Sequence, residues 1–356
     1  LLPWVALLTV WVVWGSTYLA IREAVDTIPP LTMVGIRYVV AGAVMYAIVA
    51  PRHARGEQRP TWTHIRSALL IGALLLVGGN GLLSIGEQRL ASGLAALLVA
   101  TVPIWMVIIN AVLTKTRITR TMLLGIGLGT AGVAVLIGWH GGDAIDVGSA
   151  ALVLVASLSW ASGSVFARRV PLPRHPIVVV SLEMMAGGLL MLVGAAATGE
   201  FGRFDVGAIS TASLLGWLWL IGPGAMVGFT AYIYANSRLP NDVVATYAYV
   251  NPVIAVFLGV LIGRESFSMN IVAGGAIIVG SVAIIVTGHR RSRPPRPAAV
   301  APNAASRRRA RAASGRRARA ASGGLRPDRV LTAARSATTA SNSASPLKSR
   351  GFSDDG

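Results

Sequence analysis

The sequence predicts an all-α integral membrane protein: ten transmembrane helices arranged as two inverted five-helix repeats, followed by a disordered basic C-terminal tail. Three observations predict it. The 356-residue chain is 54% hydrophobic and only 13% charged, with mean hydropathy +0.64, whereas about a quarter of the residues in a soluble domain are charged. Ten segments are apolar over roughly the twenty residues a helix needs to cross lipid, where backbone groups find hydrogen-bond partners only within the helix itself. The second half of the chain also repeats the first.

In order, the segments run Pro3 to Ile21, Leu31 to Ala50, Ser67 to Ile85, Gly93 to Leu113 and Met122 to Trp139, then Val147 to Ala167, Ile177 to Ala197, Ala212 to Tyr234, Val243 to Ile262 and Ile271 to Thr287. No basic stretch precedes Leu1, so the first segment is read as a span and not as a cleaved signal. The chain has no cysteine, which excludes disulfides, thiolate metal sites and Cys nucleophiles.

Loop charge sets the orientation, because Lys and Arg in short loops stay on the cytoplasmic side. One set of loops carries Arg52, Arg55, Arg59 and Arg66, then Lys115, Arg117 and Arg120, then Arg168, Arg169 and Arg174, then Arg238. The other set holds only Arg22, Arg89, Arg203 and Arg264, and its Gly141 to Asp146 loop is purely acidic. Both termini are therefore expected in the cytoplasm and the protein in the cell (inner) membrane.

Sliding the chain so that Trp14 falls on Trp160 also places Ser16 on Ser162, Arg37 on Glu183 and Gly42 on Gly188. A slightly larger slide aligns Arg89 and Leu90 with Arg238 and Leu239, Pro103 with Pro252, Lys115 with Arg264, and Gly125 with Gly274. Five spans per copy is an odd number, so the second copy enters the membrane from the opposite side, and a site is expected near the midplane between the copies. The expected domains are residues 1–140, 147–288 and a tail at 289–356. The tail, rich in Arg, Ala, Ser and Pro, cannot offset the entropy of ordering and carries most of the net +18 charge. Its readings are a solvated cytoplasmic tail or contact with anionic lipid. Nucleic acid is not expected, since no aromatics interleave with the Arg residues.

Trp14-Gly15-Ser16-Thr17-Tyr18, the Ile28-Pro29-Pro30-Leu31 loop, Gly35-Ile36-Arg37-Tyr38 and Val99-Ala100-Thr101-Val102-Pro103 resemble the EamA family of drug/metabolite transporters. The resemblance covers Pro3 to Thr287, and Gly263-Arg264-Glu265 followed by Gly274-Gly275 looks like the family's end of the second repeat. The first repeat departs from that pattern, with Thr116 where the family often has Glu. The resemblance implies a ten-helix proton- or solute-coupled carrier, often an exporter of amino acids, related metabolites or toxic compounds.

Ionised side chains inside spans are costly and face a cavity or a partner, which singles out Arg37 and Glu183. Each lies early in its helix; inversion puts Arg37 toward the outside and Glu183 toward the cytoplasm, so they are not expected side by side. For both, a structural role and a gate or substrate contact stand as alternatives, and Glu183 is a candidate for a coupling proton. Trp14, Ser16 and Tyr18, with Trp160 and Ser162, read either as a cavity wall or as interfacial anchoring and Ser packing. Gly78-Gly79-Asn80-Gly81 and Gly222-Pro223-Gly224 are expected to break the third and eighth helices and expose backbone to solute, with Asn80 able to donate and accept. Tyr232, Tyr247 and Asn251 add a second polar aromatic surface; Tyr247 and Asn251 share a helix face.

Pro103 and Pro252 are expected to kink the fourth and ninth helices. Gly125, Gly127 and Gly129, with Gly274, Gly275 and Gly280, suit close packing within the monomer or a homodimer. No cofactor or metal is called for. An intramembrane enzyme is disfavoured because no His-Glu-x-x-His or nucleotide-binding glycine loop is present, and the five His fall at loops or helix ends. A passive channel for small solutes is the remaining alternative to a carrier.

Overall fold

The computed structural model describes residues 1–53, 59–138, 146–265 and 269–291. The tail from 292 onward and most of the Gly141 to Asp146 loop lie outside the described residues. The described chain is helical throughout, in the order α1 (Leu2–Thr27), α2 (Pro30–His53), α3 (Trp62–Gly86), α4 (Ser92–Thr114), α5 (Arg120–Gly138), α6 (Val147–Phe166), α7 (Pro176–Ala197), α8 (Thr211–Arg238), α9 (Tyr247–Leu261) and α10 (Met269–Arg291). Seven of these are long and apolar enough to cross a membrane, and the apolar parts of α5, α9 and α10 are shorter.

Local chemistry explains most helix starts. Pro30 and Pro176 open α2 and α7, where a missing N–H costs nothing and the fixed φ suits the first turn. Thr61 and His64 form a reciprocal cap on α3, and the Asp146 carboxylate accepts from Ser149 N at 2.7 Å on α6. That bond and Arg89 at 3.2 Å hold the Asp146 carboxyl below its ordinary range. Among the described residues, two that are not glycine take left-handed backbone, Lys115 after α4 and Arg264 after α9, both with φ 53°. They are the pair aligned by the sequence slide.

The glycine-rich stretches do not break α3 and α8. Both rods stay continuous and widen into π-helical turns, at Ala73–Gly81 and at Leu220–Val227, the second containing Pro223. Within lipid an opened backbone would leave N–H and C=O groups without partners, so a wider helix is the lower-energy response. The breaks occur instead in α4, at Ala100 and Thr101 just ahead of Pro103, and at Ala245 and Thr246, which separate α9 from a short turn at Asn241–Val244. Pro252 itself lies inside α9 after that break.

Helices α2 and α7 pack against each other, as do α5 and α10, α1 and α9, α4 and α6, α1 and α8, and α3 and α6. Without a hydrophobic force between helices in lipid, such seams depend on close van der Waals approach. At the α2–α7 seam a Cβ on Gly188 would lie 2.9 Å from Gly35 O, and one on Gly42 would lie 2.8 Å from Ser181 O. Gly129 meets Ser281 and Ile104, whereas Gly127 and Gly280 have nothing within 4 Å. Outward faces stay apolar, as with Val5, Leu8 and Val12 on α1 and Leu123, Leu124 and Leu128 on α5.

Candidate functional site

Two adjoining assemblies stand out, an aromatic cluster and a buried charged network. In the cluster, Trp14 of α1 has ring centroids 5.2 Å from Phe229, 5.2 Å from Tyr232 and 5.4 Å from Tyr247, and the two tyrosines are 5.9 Å apart at 90°. These are the offset and edge-on geometries that aromatic quadrupoles favour. Trp14 is fixed by its indole N–H, which donates to Gly224 O at 3.2 Å in the π-helical turn of α8, and its ring lies against Gly228. Asn251 is buried; with its amide nitrogen turned toward carbonyls it donates to Trp11 O at 3.3 Å and Tyr247 O at 3.2 Å. It braces α1 against α9. The positive field of Arg168, at the end of α6, reaches both Tyr232 and Tyr247.

The matching π-helical turn of α3 also meets a tryptophan, but its hydrogen bond comes from a serine. Trp160 of α6 lies against Gly79, and Ser159 donates to Leu74 O at 2.8 Å. Next to this contact, Asn80 Oδ1 accepts from Arg37 Nη2 at 2.6 Å, and the same nitrogen donates to the Tyr38 hydroxyl at 2.8 Å. The guanidinium also sits 4.4 Å from the centroid of the Tyr38 ring. Arg37 is only 3% exposed, yet its Nε and Nη1 have no hydrogen-bond partner. Glu87, at the C-terminal end of α3, is 0% exposed with neither carboxylate oxygen bonded. Arg37, Arg22 and Glu265 lie within electrostatic range of it, and it in turn acts on Tyr18.

Sequence reasoning named Arg37 and Asn80 separately; the fold joins them. Arg37 and Glu183 do not meet: the Glu183 backbone packs against Gly72, well before Asn80 along α3. Ser16 accepts from the Trp219 indole at 2.9 Å, and Ser162 donates to Leu158 O in its own helix at 2.8 Å.

Besides Glu87, two acids that cap helices were not singled out as site residues. Glu265 Oε1 accepts from Ser92 N at 2.6 Å and its Oε2 from Gly93 N at 3.2 Å, capping α4. Glu200, 4% exposed, accepts from Thr32 N at 2.9 Å and the Thr32 hydroxyl at 3.1 Å, capping α2. Both ties cross between the two halves of the chain. The signal was present: Pro29 and Ala91 precede helices whose first N–H groups they have no side chain to satisfy, so a carboxylate from elsewhere was needed. Beside Glu265 opens a cavity of about 420 Å³ lined by Arg22, Glu23, Asp26, Arg89 and Gly263.

The profile of the EamA-like transporter family matches residues 2–138 and again 148–287. The chain is similar to the uncharacterized inner membrane transporter YedA of Escherichia coli, 34% identical over 285 residues that cover 80% of this chain and 90% of that one. It is 31% identical over 295 residues to a probable terminal-alkyne amino-acid exporter of Streptantibioticus cattleyicolor, covering 81% and 95%. It is 28% identical over 278 residues to the uncharacterized transporter YvbV of Bacillus subtilis, covering 78% and 88%. A solved structure titled only "Crystal structure of protein" shares the fold at TM-score 0.56 and 22% identity, over 81% of this chain and 98% of that one. Matched along both halves and carrying apolar helices of spanning length, the chain belongs to the EamA-like transporter family and is a multi-pass membrane transporter.

Proposed function

We propose that the protein is a secondary transporter that exports small organic solutes, amino acids and related metabolites or drugs among them, by alternating access. The observation that carries this reading is the aromatic cluster, which we take as one wall of the solute chamber. Trp14, Phe229, Tyr232 and Tyr247 form an aromatic wall with two phenol groups, next to a π-helical turn whose Gly224 carbonyl is held by an indole. Such a surface suits amphipathic solutes: the rings take the apolar body, and the phenols take the polar end. The name of one relative as an amino-acid exporter supports that class.

Alternating access needs two bundles that exchange roles, and several features support ten spans in two inverted copies. The family profile matches twice. Trp160 on Gly79 mirrors Trp14 on Gly228, Pro30 mirrors Pro176, and Lys115 mirrors Arg264 in left-handed backbone. Most helix pairings survive exchange of each helix with the one five places on, as α1–α9 with α6–α4 and α1–α8 with α6–α3. Loop charge supports a cytoplasmic place for Arg168 and both termini, with Glu200 outside and with Glu265 and the cavity it lines on that same outer side. On this reading the carboxylate ties at Ser92 and Thr32 close the outer end while the chamber faces Arg168. A cytoplasmic tail this rich in Arg would be attracted to anionic headgroups.

The test is an efflux and toxicity screen of cells with and without the protein against amino acids, metabolites and drugs. Lower accumulation of at least one solute, abolished by Trp14→Ala, is expected. Equal accumulation of every solute would refute export.

A further inference from the structure

We propose that Glu87 is a proton-binding site of the carrier, loaded from the outer cavity past Glu265 and set in opposition to the buried Arg37. The inference rests on the transporter reading for its direction, but its geometry stands alone.

A carboxylate that is 0% exposed with both oxygens unbonded is among the least stable ionised groups a protein can hold. Binding a proton removes the charge and supplies a donor. Its surroundings define what opposes this. From the segment after α9, Glu265 acts on it; from α2, Arg37 does; from α1, Arg22 does, and Glu87 in turn acts on Tyr18. On α6, the residues against neighbouring Gly86 are Ser149 and Val153, neither ionisable. Asp146 and Arg89 pair with each other at 3.2 Å on the exposed side.

Position adds the second argument. Arg89, Leu90 and Ala91, which follow Glu87 within four residues, line the cavity together with Glu265. Glu87 also acts on Tyr18 of α1, and Tyr18 in turn on Tyr247 of the aromatic cluster. Glu87 is therefore tied to the cavity through its own chain and to the aromatic cluster through Tyr18. Protonation leaves the Arg37 charge unopposed at its two free donors, so proton loading changes what that guanidinium will accept from a solute.

The test uses the full chain in liposomes, with the proton as the only ligand. Infrared difference spectra are recorded on stepping the external pH from alkaline to acidic for wild type, Glu87→Gln, Glu87→Asp and Glu183→Gln. Loss of one buried carboxylic-acid band in Glu87→Gln, its retention in Glu183→Gln and its shift in Glu87→Asp are expected. Should Glu87→Gln fail to fold, the shift in Glu87→Asp decides alone. An unchanged band set in both Glu87 variants would overturn the proposal. Because no solute is involved, a Glu87 band in a protein that moves nothing in the screen counts against the transporter reading only. Transport without a Glu87 band counts against this site only.

Discussion

Replacing Asn80 with Leu removes the shortest hydrogen bond to the buried guanidinium while keeping the side chain close in size. Arg37 Nη2 is 2.6 Å from Asn80 Oδ1, and Nε and Nη1 already lack partners, so after the change only the Tyr38 hydroxyl and ring remain. A hydrogen bond to a charged group contributes about 1.5–3 kcal/mol. At roughly 2–4 °C per kcal/mol, Asn80→Leu should lower the melting temperature by about 3–12 °C. Because the loss is that of an orphaned charge, it should nearly vanish in an Arg37→Met background, giving a coupling of about 1.5 kcal/mol or more. The assay is thermal unfolding in detergent for wild type, both single variants and the double variant. Additivity within about 0.5 kcal/mol, as expected of independent sites, would refute the network.

Gly188→Ala should destabilise the protein by about 1–3 kcal/mol, because its Cβ would press on Gly35 O and Val39 N, backbone atoms 2.9 Å away. Gly280→Ala, with open space around it, should be neutral or stabilising in the same melts. Trp14→Ala should cut transport of the solute found in the screen at least tenfold, while Ser162→Ala, whose hydroxyl serves its own helix, should leave the rate within about twofold. Asp146, held below its ordinary range by Ser149 N and Arg89, stabilises the α6 start above the unfolded carboxylate value near pH 4. That contribution is lost as pH falls through the lower folded value, so Asp146→Asn should flatten the acid limb of a melting-temperature profile.

Hydropathy located each helix, because lipid imposes one rule on every span. It ended α1 at Ile21, where the helix runs on to Thr27: Arg22, Glu23 and Asp26 read as loop but form the final turns and line the cavity beside Glu265. The same rule hid Glu87, placed just beyond an apolar window although fully buried. Gly-Gly-Asn-Gly and Gly-Pro-Gly read as breaks because they break helices in water; between packed helices they widen the turn. Partnerships across the chain were the least legible. Arg37 with Asn80, and Trp14 with Tyr232 and Tyr247, depend on packing between helices far apart in sequence. For Ser16 and Ser162 the sequence left cavity wall and helix packing open, because it does not show which way a helix faces; their hydroxyls bond the Trp219 indole and the Leu158 carbonyl.

Solute counterflow in proteoliposomes tests the central claim most directly. With the solute chosen by the screen, the alternating-access reading predicts saturable uptake of labelled solute accelerated by unlabelled solute inside, and its loss in Trp14→Ala. Flux that rises linearly with concentration, without trans-stimulation and with conductance far above carrier rates, would contradict it and assign the chamber to a channel.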